Sequence, residues 1–489
     1  MENMAKEWDI NSGLVVKEDY ILLREIGQGN NAKVWMTFRI STKSFLAMKI
    51  QDYQCYKTGC KEVAILKKIN EYAKSENKNT FCIEMLDYFV YKQNEEMKYV
   101  CTVYPLYAGN IQMLLDRGRY KYGLPIDIVK KIIRQLLEAL SVIHHELQII
   151  HTDVKPENIL FEGMPIYHLR IIQLFNESGF QEKRDQLQKT FSDKNKYLEK
   201  LQELAFESVT SFYTLDQSDA DNEGGGGNEE DEDGDEDVDD VDEDDEDGDA
   251  DGDDDADENV LDDDSSEELI KVNKREQSVD DVIGNLNYTI THNLEGCYDF
   301  DEVLNNREKS TDKIDIIDNT YVLNCKTVLI DFGNCYFSDK KTKNEIQDRL
   351  YRSPEIILDY NYDFACDIWS LSCVFFELLT GFVLFEPYDN PLNSDIQHLY
   401  LMEKQLGPIP LKMKKESKRS KFLFDKTRSY HIKNIEKFAQ CPLKERLSKQ
   451  FLFEPADVEN IYEFLMLGLQ FEPQKRATAK QMLQHPFLN

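Results

Sequence analysis

Short apolar runs separated by turn residues dominate the first hundred residues of the chain. Between residues 20 and 50 the runs YILLREIGQG, KVWMTFR and SFLAMKI follow one another, and this pattern predicts a small antiparallel sheet of three strands. KEVAILKKINEY, at 61–72, has apolar residues at helical spacing and predicts a helix. Two further runs, FCIEMLDYFVY and MKYVCTVYPLY, predict two more strands. Residues 20–107 are therefore predicted to form a small, mostly β lobe.

Helical periodicity replaces the strand pattern after residue 107. In the stretch DIVKKIIRQLLEALSVIHHE, apolar residues recur along one face of a helix, namely Ile128, Ile132, Leu136, Leu140 and Ile143. Residues 108–163 are predicted to begin a larger helical lobe, and residues 321–489 to complete it. With a short amino-terminal arm at 1–19, the pattern indicates an α+β fold of two lobes.

A segment of about 150 residues, 164–320, interrupts the second lobe and is far longer than an ordinary connection. Its first part has a mixed pattern that includes a charged helix across EKRDQLQKTFSDKNKYLEKLQELAFESV. The Gly/Asp/Glu tract that follows has too few apolar residues to offset the entropy lost when a backbone is ordered. We expect residues 214–270 to be disordered.

The net charge of -35 belongs almost entirely to that tract. Residues 216–268 hold 32 of the 93 acidic side chains and no Lys or Arg, which leaves 61 acidic against 58 basic side chains elsewhere. The tract has three interpretations: a solvated spacer, a pseudo-substrate that competes for a groove receiving Arg-rich substrates, or an anchor for a basic partner. The charge argues against direct binding of nucleic acid.

Cysteine usage and hydropathy indicate a reduced, intracellular protein. The ten cysteines are scattered, without a C-x-x-C motif or Cys/His groups at metal-ligand spacing. The amino terminus does not resemble a secretory signal, and the most apolar stretch, WSLSCVFFELLTGFVLF, is interrupted by Glu377 and predicts a buried helix rather than a membrane span. We expect a cytoplasmic monomer without membrane contact. A nuclear role stays open because of the basic run at 412–421, although such a run is more often an exposed loop.

The stretch IGQGNNAKVW, at 26–35, could bring backbone N–H groups close to phosphates. Gly27 and Gly29 permit a tight turn between two strands, and Val34 on the return strand could cover a purine. Ala32 stands where the usual pattern has a third glycine. LAMK follows at the right distance, so Lys49 could contact phosphates while Glu62 of the next helix holds it.

HTDVKPENIL, at 151–160, is the most specific motif. In it, Asp153 would accept or orient a hydroxyl proton, Lys155 would neutralise charge on a phosphoryl group, and Asn158 would bind a metal ion. In VLIDFGN, a β run leads to Asp331, whose carboxylate could hold Mg²⁺. A surface loop or a simple turn could carry either motif alone. The two together, in this order, make coincidence improbable.

This order of motifs resembles that of the protein kinases, over about residues 20–162 and 320–488. YRSPE, at 351–355, resembles the family's A-P-E anchor, so Glu355 is expected to pair with Arg476, and Asp367 resembles the buried carboxylate that holds the catalytic loop. The resemblance implies a two-lobed kinase fold that uses ATP and Mg²⁺, with Asp153, Lys155 and Asn158 as catalytic residues and Asn158 and Asp331 as metal ligands. The implied nucleotide-binding residues are Ile26, Gly27, Gln28, Gly29, Asn30, Asn31, Ala32, Lys33, Val34, Ala47, Lys49, Glu62, Pro105 and Tyr107.

A finer resemblance is to the SR-protein kinases, which phosphorylate serines in Arg/Ser-rich splicing factors. It is carried by Thr152 in place of the usual Arg, by DFGNCYF, by EIQDRLYRSPEIIL at a short distance after it, and by the position of the long insert. YRSPE also places the chain in the wider group that includes the MAP and cyclin-dependent kinases. The resemblance implies protein substrates of Arg/Ser-rich type.

Thr152 leads to a hypothesis about regulation. An Arg beside the catalytic Asp carries a buried positive charge, which a phosphate on the activation segment usually neutralises. Thr152 carries no charge, so the enzyme is expected to be active as synthesised. The alternative is that Thr152 only packs and that activation is controlled elsewhere.

Several residues depart from the family pattern. Asp348 stands where serine/threonine kinases have a Thr that bonds the catalytic Asp and Lys; it could shift a pKa, select a basic substrate or lower turnover. Asp395 and Glu403 lie near, but not at, the positions of acids that dock Arg-rich peptides. Two alternatives therefore stay open: another kinase of the same group with different substrates, and a pseudokinase scaffold that binds basic partners through the acidic insert.

Overall fold

The alternating apolar pattern of the first lobe folds into one antiparallel sheet in the computed structural model. The structure describes residues 10–29, 31–92, 97–116, 120–210, 212, 288–289, 326–339, 346–387, 394–433, 435, 441–451 and 453–488. The strands of the first lobe are β1 (Val15–Val16), β2 (Tyr20–Gly29), β3 (Ala32–Arg39), β4 (Ser44–Gln51), β5 (Asp87–Lys92) and β6 (Lys98–Tyr104), in the order β1-β2-β3-β4-β6-β5. All five predicted strands are therefore confirmed.

The helix predicted at 61–72 is longer than its apolar pattern suggested. This helix, α1, spans Tyr56–Glu76 and ends where Asn77 adopts a left-handed conformation with φ of 48°. Ile65 and Leu66 are fully buried against the sheet. The same face carries Glu62, so packing of the helix fixes where this carboxylate lies.

The second lobe is helical, as predicted. The helices of the second lobe are α2 (Ile111–Asp116), α3 (Ile126–Ser141), α7 (Pro354–Ile357), α8 (Ala365–Thr380), α9 (Ser394–Leu406), α10 (Leu411–Glu416), α11 (Ser420–Leu423), α12 (Leu443–Lys449), α13 (Pro455–Gly468) and α14 (Ala479–Met482), and the insert contributes α4 (Ile166–Glu177), α5 (Phe180–Thr190) and α6 (Lys194–Val209). The predicted apolar face of α3 lies in the core. The apolar stretch from Trp369 forms α8, which is buried along almost its whole length. No helix in the described ranges combines the length and apolarity of a membrane span.

Short strands bring the functional loops together. They are β7 (Gly109–Asn110), β8 (Ile149–Ile150), β9 (Ile159–Phe161), β10 (Met164–Pro165), β11 (Tyr288–Thr289), β12 (Thr327–Leu329), β13 (Tyr336–Phe337), β14 (Phe424–Asp425) and β15 (His431–Ile432). β9 pairs with both β7 and β12, and β8 pairs with β13. The long insert therefore leaves after β9 and returns in β12, which lies directly beside it.

The first part of the insert is folded and covers the first lobe. Helices α4, α5 and α6 form an apolar cluster with β2 and β3, in which Phe38 contacts Phe175 and Phe180 at ring distances of 4.9 and 6.0 Å. Gln202 of α6 accepts from the backbone N–H of Val15 and donates to the carbonyl of Gly13. The stretch predicted to be one charged helix forms two helices, α5 and α6. Residues 214–270, which were predicted to be disordered, lie outside the described residues.

Glu377 is a buried acid in the helical core, and it gives the fold a pH dependence. The Tyr351 hydroxyl donates to its Oε2 at 2.7 Å. Burial raises the pKa of Glu377 to about 7, although the bond from Tyr351 opposes this rise. Between about pH 5 and 7 the folded chain therefore holds a proton here that the unfolded chain has largely released.

Glu377→Gln is expected to stabilise the protein more at pH 8 than at pH 5. The unfolded carboxyl titrates near 4.5 and the folded one near 7, so the contribution of Glu377 to wild-type stability falls as the pH rises through that window. Gln stays neutral and still accepts the bond from Tyr351, and its advantage grows to about 3 kcal/mol. Thermal unfolding of both proteins from pH 5 to 8 measures the difference; a constant offset in Tm across this range would contradict the assignment.

Candidate active site

Three charged side chains that are distant in sequence meet between the two lobes. Lys49 of β4 donates to both carboxylate oxygens of Glu62, at 2.9 and 3.0 Å, and to Asp331 Oδ1 at 3.2 Å. Burial alone would lower the pKa of Lys49, but the two carboxylates outweigh burial and raise it, so this amine stays protonated. The cluster is a fixed positive charge flanked by an acid from each lobe.

The predicted glycine hairpin lies beside this cluster. Gly27 pairs with Val34 and Gly29 with Ala32 across the β2–β3 turn, while Val34 pairs with Lys49 on the next strand. Ile26 is partly buried and packs both against the main apolar core and against the cluster that α4, α5 and α6 form with β2 and β3. Gln28, Asn31 and Lys33 also belong to this hairpin, and Asn30 lies outside the described residues.

The connection between the lobes begins beside β4. Ala47 of β4 pairs with Tyr104, the last residue of β6, which is buried. Pro105 and Tyr107 follow in the segment that leads into β7, and both are partly buried. Burial raises the pKa of Tyr107, so its hydroxyl stays protonated. Strand pairing thus joins Val34 to Lys49 and Ala47 to Tyr104, and Pro105 and Tyr107 follow Tyr104 along the chain.

The catalytic-loop candidates form a compact polar group. Asn158 Nδ2 donates to the backbone carbonyl of Asp153 at 2.8 Å and to Asp153 Oδ2 at 3.0 Å. Lys155 Nζ lies 3.5 Å from Asp153 Oδ1. Because Asn158 uses its N–H groups for these bonds, its side-chain oxygen is the group left to bind a cation.

Asp367 holds this loop in place, as predicted. Its Oδ2 accepts from the backbone N–H of His151 at 2.7 Å and lies 2.9 Å from His144 Nε2, and its Oδ1 accepts from the backbone N–H of Thr152 at 2.8 Å. Burial opposes ionisation, but these donors outweigh it and lower the pKa of Asp367. Thr152 has a φ of 68°, which is unusual for a β-branched residue and which these bonds hold in place.

His151 is a further residue of the site, and the motifs in the sequence did not single it out. Its Nε2 lies 3.0 Å from the carbonyl of Ile330, its Nδ1 accepts from the backbone N–H of Asp153 at 3.2 Å, and its ring contacts Phe332. The ring therefore joins the catalytic loop to the turn that carries Asp331. The only signal in the sequence was its place at the start of HTDVKPEN.

Asp348 lies beside the catalytic loop. Its Oδ2 is 3.4 Å from Lys155 Nζ, so Lys155 lies between the carboxylates of Asp153 and Asp348. Burial would lower the pKa of Lys155, but these carboxylates outweigh it and raise the pKa. The other oxygen of Asp348 accepts from the backbone N–H of Leu350 and caps the following turn. Asp348 thus contacts the lysine through a carboxylate where the family pattern has a hydroxyl.

The two acids considered for peptide docking are already paired within the chain. Asp395 accepts from Arg349 and, at 2.7 Å, from Arg419. Glu403 is buried and lies 2.6 Å from Lys414. Each of these carboxylates is therefore already engaged by at least one internal cation. Sequence inspection shows the acids, but it does not show these partners.

The predicted anchor below the site is present. Arg476 donates to both oxygens of Glu355 at 2.6 Å, and both side chains are completely buried. Above it, Gln347 donates its backbone N–H to the carbonyl of Thr152 at 3.0 Å and accepts from the Ser353 hydroxyl. The segment with Asp348 is therefore fixed at both ends.

The site combines a potential proton acceptor, two cations and oxygen donors for a metal. Asp153 can accept a proton from a hydroxyl group, and Lys49 and Lys155 can contact anionic oxygens. Burial would raise the pKa of Asp331, but Lys49 outweighs burial and lowers it, so this carboxylate is ionised. Its oxygen and that of Asn158 are the hard donors that Mg²⁺ prefers, and the donor set fits that ion.

Comparisons with known proteins agree with this geometry. Residues 20–189 and 317–488 match the sequence profile of the protein kinase domain. A chain of Acanthamoeba polyphaga mimivirus, named as a serine/threonine-protein kinase, is 49% identical over 98% of this chain and 89% of its own length. Protein kinase dsk1 of Schizosaccharomyces pombe is 27% identical, over 96% of this chain and 80% of its own length.

Two more distant comparisons extend the picture. Human SRSF protein kinase 3 is 24% identical over 98% of this chain and 88% of its own length. A solved crystal structure of a kinase domain superposes with a TM-score of 0.56 over 99% of both chains, at 19% identity. The second comparison concerns the fold alone.

Proposed function

The chain belongs to the protein kinase family and is a serine/threonine kinase of its SR-protein-kinase branch, and we propose that its substrates are serines in Arg/Ser-rich proteins. The relatives named as SRSF protein kinases support this substrate class. So does the local charge: the carboxylates of Asp153 and Asp348 lie 3.5 and 3.4 Å from Lys155 Nζ, and Glu157 interacts electrostatically with the same amine. A basic peptide would be attracted to this negative surface, and an acidic one repelled.

The arrangement of Asp153, Lys155 and Asn158 carries the proposed mechanism. The Asp153 carboxylate, oriented by Asn158 Nδ2 at 3.0 Å, accepts the proton of the serine hydroxyl. Lys155, held between two carboxylates, would offset the negative charge of the phosphoryl group during its transfer. Catalysis of this kind consists mainly of positioning and electrostatic stabilisation.

ATP is the proposed phosphoryl donor and Mg²⁺ the proposed cofactor. Gly27 and Gly29 would bring backbone N–H groups near the phosphates, Lys49 would bind them, and Ile26, Val34 and Ala47 would enclose the adenine together with Pro105 and Tyr107. When bound to Asn158 and Asp331, Mg²⁺ would supply positive charge against the phosphates. Lys49 Nζ lies 3.2 Å from Asp331 Oδ1. When ATP is bound, this amine could donate to a phosphate oxygen in place of Asp331.

The enzyme is further proposed to be active without phosphorylation of its activation segment. Thr152 is buried and uncharged, and its hydroxyl donates to the carbonyl of Asn334 at 3.1 Å. No buried cation at this position requires a phosphate partner. This bond ties the catalytic loop directly to the start of the activation segment.

A second candidate is a kinase of the same group that acts on other sequences. The internal pairing of Asp395 and Glu403 favours it, because those acids do not offer a docking groove for Arg-rich peptides.

One experiment separates these candidates. Protein made in bacteria, without any other eukaryotic kinase, is incubated with labelled ATP and peptides of Arg-Ser, Ser-Pro and acidic-Ser type. We expect the wild type to transfer phosphate to the Arg-Ser peptide. In Asp348→Thr, the ratio of the rate with the Arg-Ser peptide to the rate with the acidic peptide should fall by up to roughly fivefold. Preferred transfer to the Ser-Pro or acidic peptide would favour the second candidate. No transfer to any peptide would contradict the proposed substrate class, and activity restored by an activating kinase would contradict the proposed self-sufficiency.

A further inference from the structure

Two lysines of α1 lie over two consecutive aromatic rings of β13. Lys61 Nζ is 3.9 Å from the centroid of the Tyr336 ring, and Lys68 Nζ is 4.3 Å from that of Phe337. The lysines are seven residues apart, which is about two helical turns, so both lie on one side of the helix. We call these two pairs the lysine–ring contacts. They join a helix of the first lobe to the activation segment of the second.

The rings belong to a strand that is bonded to the base of the catalytic loop. Tyr336 pairs with Ile150 and Phe337 with Ile149, and the backbone N–H of Ser338 donates to the carbonyl of Gln148 at 2.9 Å. His151, the next residue after Ile150, is held by Asp367. The rings are therefore attached to the same rigid support that positions Asp153.

The lysines are attached to the residue that orients Lys49. Lys61 directly precedes Glu62, which accepts two bonds from Lys49. The helix also packs closely on the turn after Asp331, because a Cβ added at Gly333 would lie 3.5 Å from Thr58 Cγ2 and 3.6 Å from Glu62 Oε2. A small movement of α1 away from β13 would carry Glu62 away from Lys49.

We propose that Tyr336 and Phe337 are positioning residues: through Lys61 and Lys68 they hold α1 against the activation segment and keep Glu62 paired with Lys49. Cation–ring attraction thereby does what a phosphate on the activation segment would otherwise do. The inference rests on the proposed activity of the unphosphorylated enzyme and adds the contact that maintains it.

The chain provides a matched control on the same helix. Lys67 also lies over a ring, 4.1 Å from the centroid of Tyr88, and donates to its hydroxyl. Tyr88 belongs to β5, so this contact joins α1 to the sheet of its own lobe. Removing the charge of Lys67 is the same chemical change without loss of a contact to the activation segment.

The test compares the double variant Lys61→Gln/Lys68→Gln with Lys67→Gln, both unphosphorylated. We expect the double variant to raise the KM for ATP and to lower kcat/KM for ATP by roughly five- to thirtyfold, with little change in the KM for peptide. Lys67→Gln should stay within twofold of wild type. Replacing Lys61 and Lys68 by Arg keeps both cations and should restore the KM for ATP.

The rings are tested in the same way. Phe337→Leu should raise the KM for ATP, and Phe337→Tyr should not. Lys68→Gln should cause no further loss when added to Phe337→Leu, because each change removes the same contact.

The outcomes separate this inference from the proposed function. If the wild type is active and the double Gln variant has the same kcat and the same KM values for ATP and peptide as Lys67→Gln, the proposed role of the lysine–ring contacts is wrong and the proposed function stands. Additive losses from Lys68→Gln and Phe337→Leu would also contradict this role. A wild type without activity until another kinase acts on it would overturn the proposed self-sufficiency first, and this inference with it.

Discussion

Asp153→Asn is expected to lower kcat for peptide phosphorylation by about a hundred- to ten-thousandfold. The amide has nearly the same size as the carboxylate and can still lie beside Asn158 and Lys155, which contact Asp153 at 3.0 and 3.5 Å. It cannot accept the serine proton, however, and it removes the negative charge that orients Lys155. Initial rates with labelled ATP and the Arg-Ser peptide measure the loss, and KM values should change far less than kcat.

Asp359→Asn is the matched control, because the same chemical change is made at an exposed acid paired with Lys418. This variant should keep wild-type kinetics. Thermal unfolding of Asp153→Asn should show a folded protein, so that lost activity cannot be attributed to lost structure. A rate within tenfold of wild type would contradict the role of Asp153 as proton acceptor.

Glu355→Gln is expected to lower the free energy of unfolding by about 3–5 kcal/mol. Glu355 and Arg476 form a bidentate pair with both contacts at 2.6 Å and no exposed side-chain surface. The guanidinium group also donates to the carbonyls of Ala365 and Gln470 and lies 5.0 Å from the Trp369 ring. Gln would leave this positive charge buried without its counter-charge, and urea unfolding measures the cost.

The same Asp359→Asn variant serves as the comparison for stability. Its ion pair with Lys418 is solvent-exposed, so its loss should cost no more than about 1 kcal/mol. If Glu355→Gln costs as little, the buried pair does not anchor the segment that leads from Asp348 to α8.

Residues with a fixed chemical task were the easiest to predict from sequence. Lys49 and Asp331 are 282 positions apart, yet the motifs around each one predicted that both belong to one site, and they contact each other at 3.2 Å. The pair Glu355 and Arg476 was predicted in the same way. In each case the task requires particular residue types at particular spacings, so the pattern appears directly in the sequence.

The contacts made by the insert were not predictable in this way. The stretch that forms α5 and α6 appeared as one charged helix, because most of its side chains face solvent and only a narrow apolar stripe, including Leu201 and Ala205, meets the sheet. Which face of which sheet receives such a stripe depends on contacts between residues far apart in sequence. The partners of Asp395 and Glu403 escaped prediction for the same reason.

The pairing of β9 with β12 has a consequence for how this enzyme can change. Phe161 lies opposite Thr327, and the backbone N–H of Glu162 donates to the carbonyl of Lys326 at 2.8 Å, so the chain leaves and re-enters the catalytic domain at one point. The entropy of closing a loop grows only with the logarithm of its length, and doubling the length costs roughly 0.6 kcal/mol. Sequence between α6 and β12 can therefore be lengthened, shortened or exchanged at little cost to the fold, whereas α4, α5 and α6 must stay because they cover β2 and β3. The two strands act as a graft point, where evolution or an engineer can attach a new regulatory module to an unchanged catalytic centre.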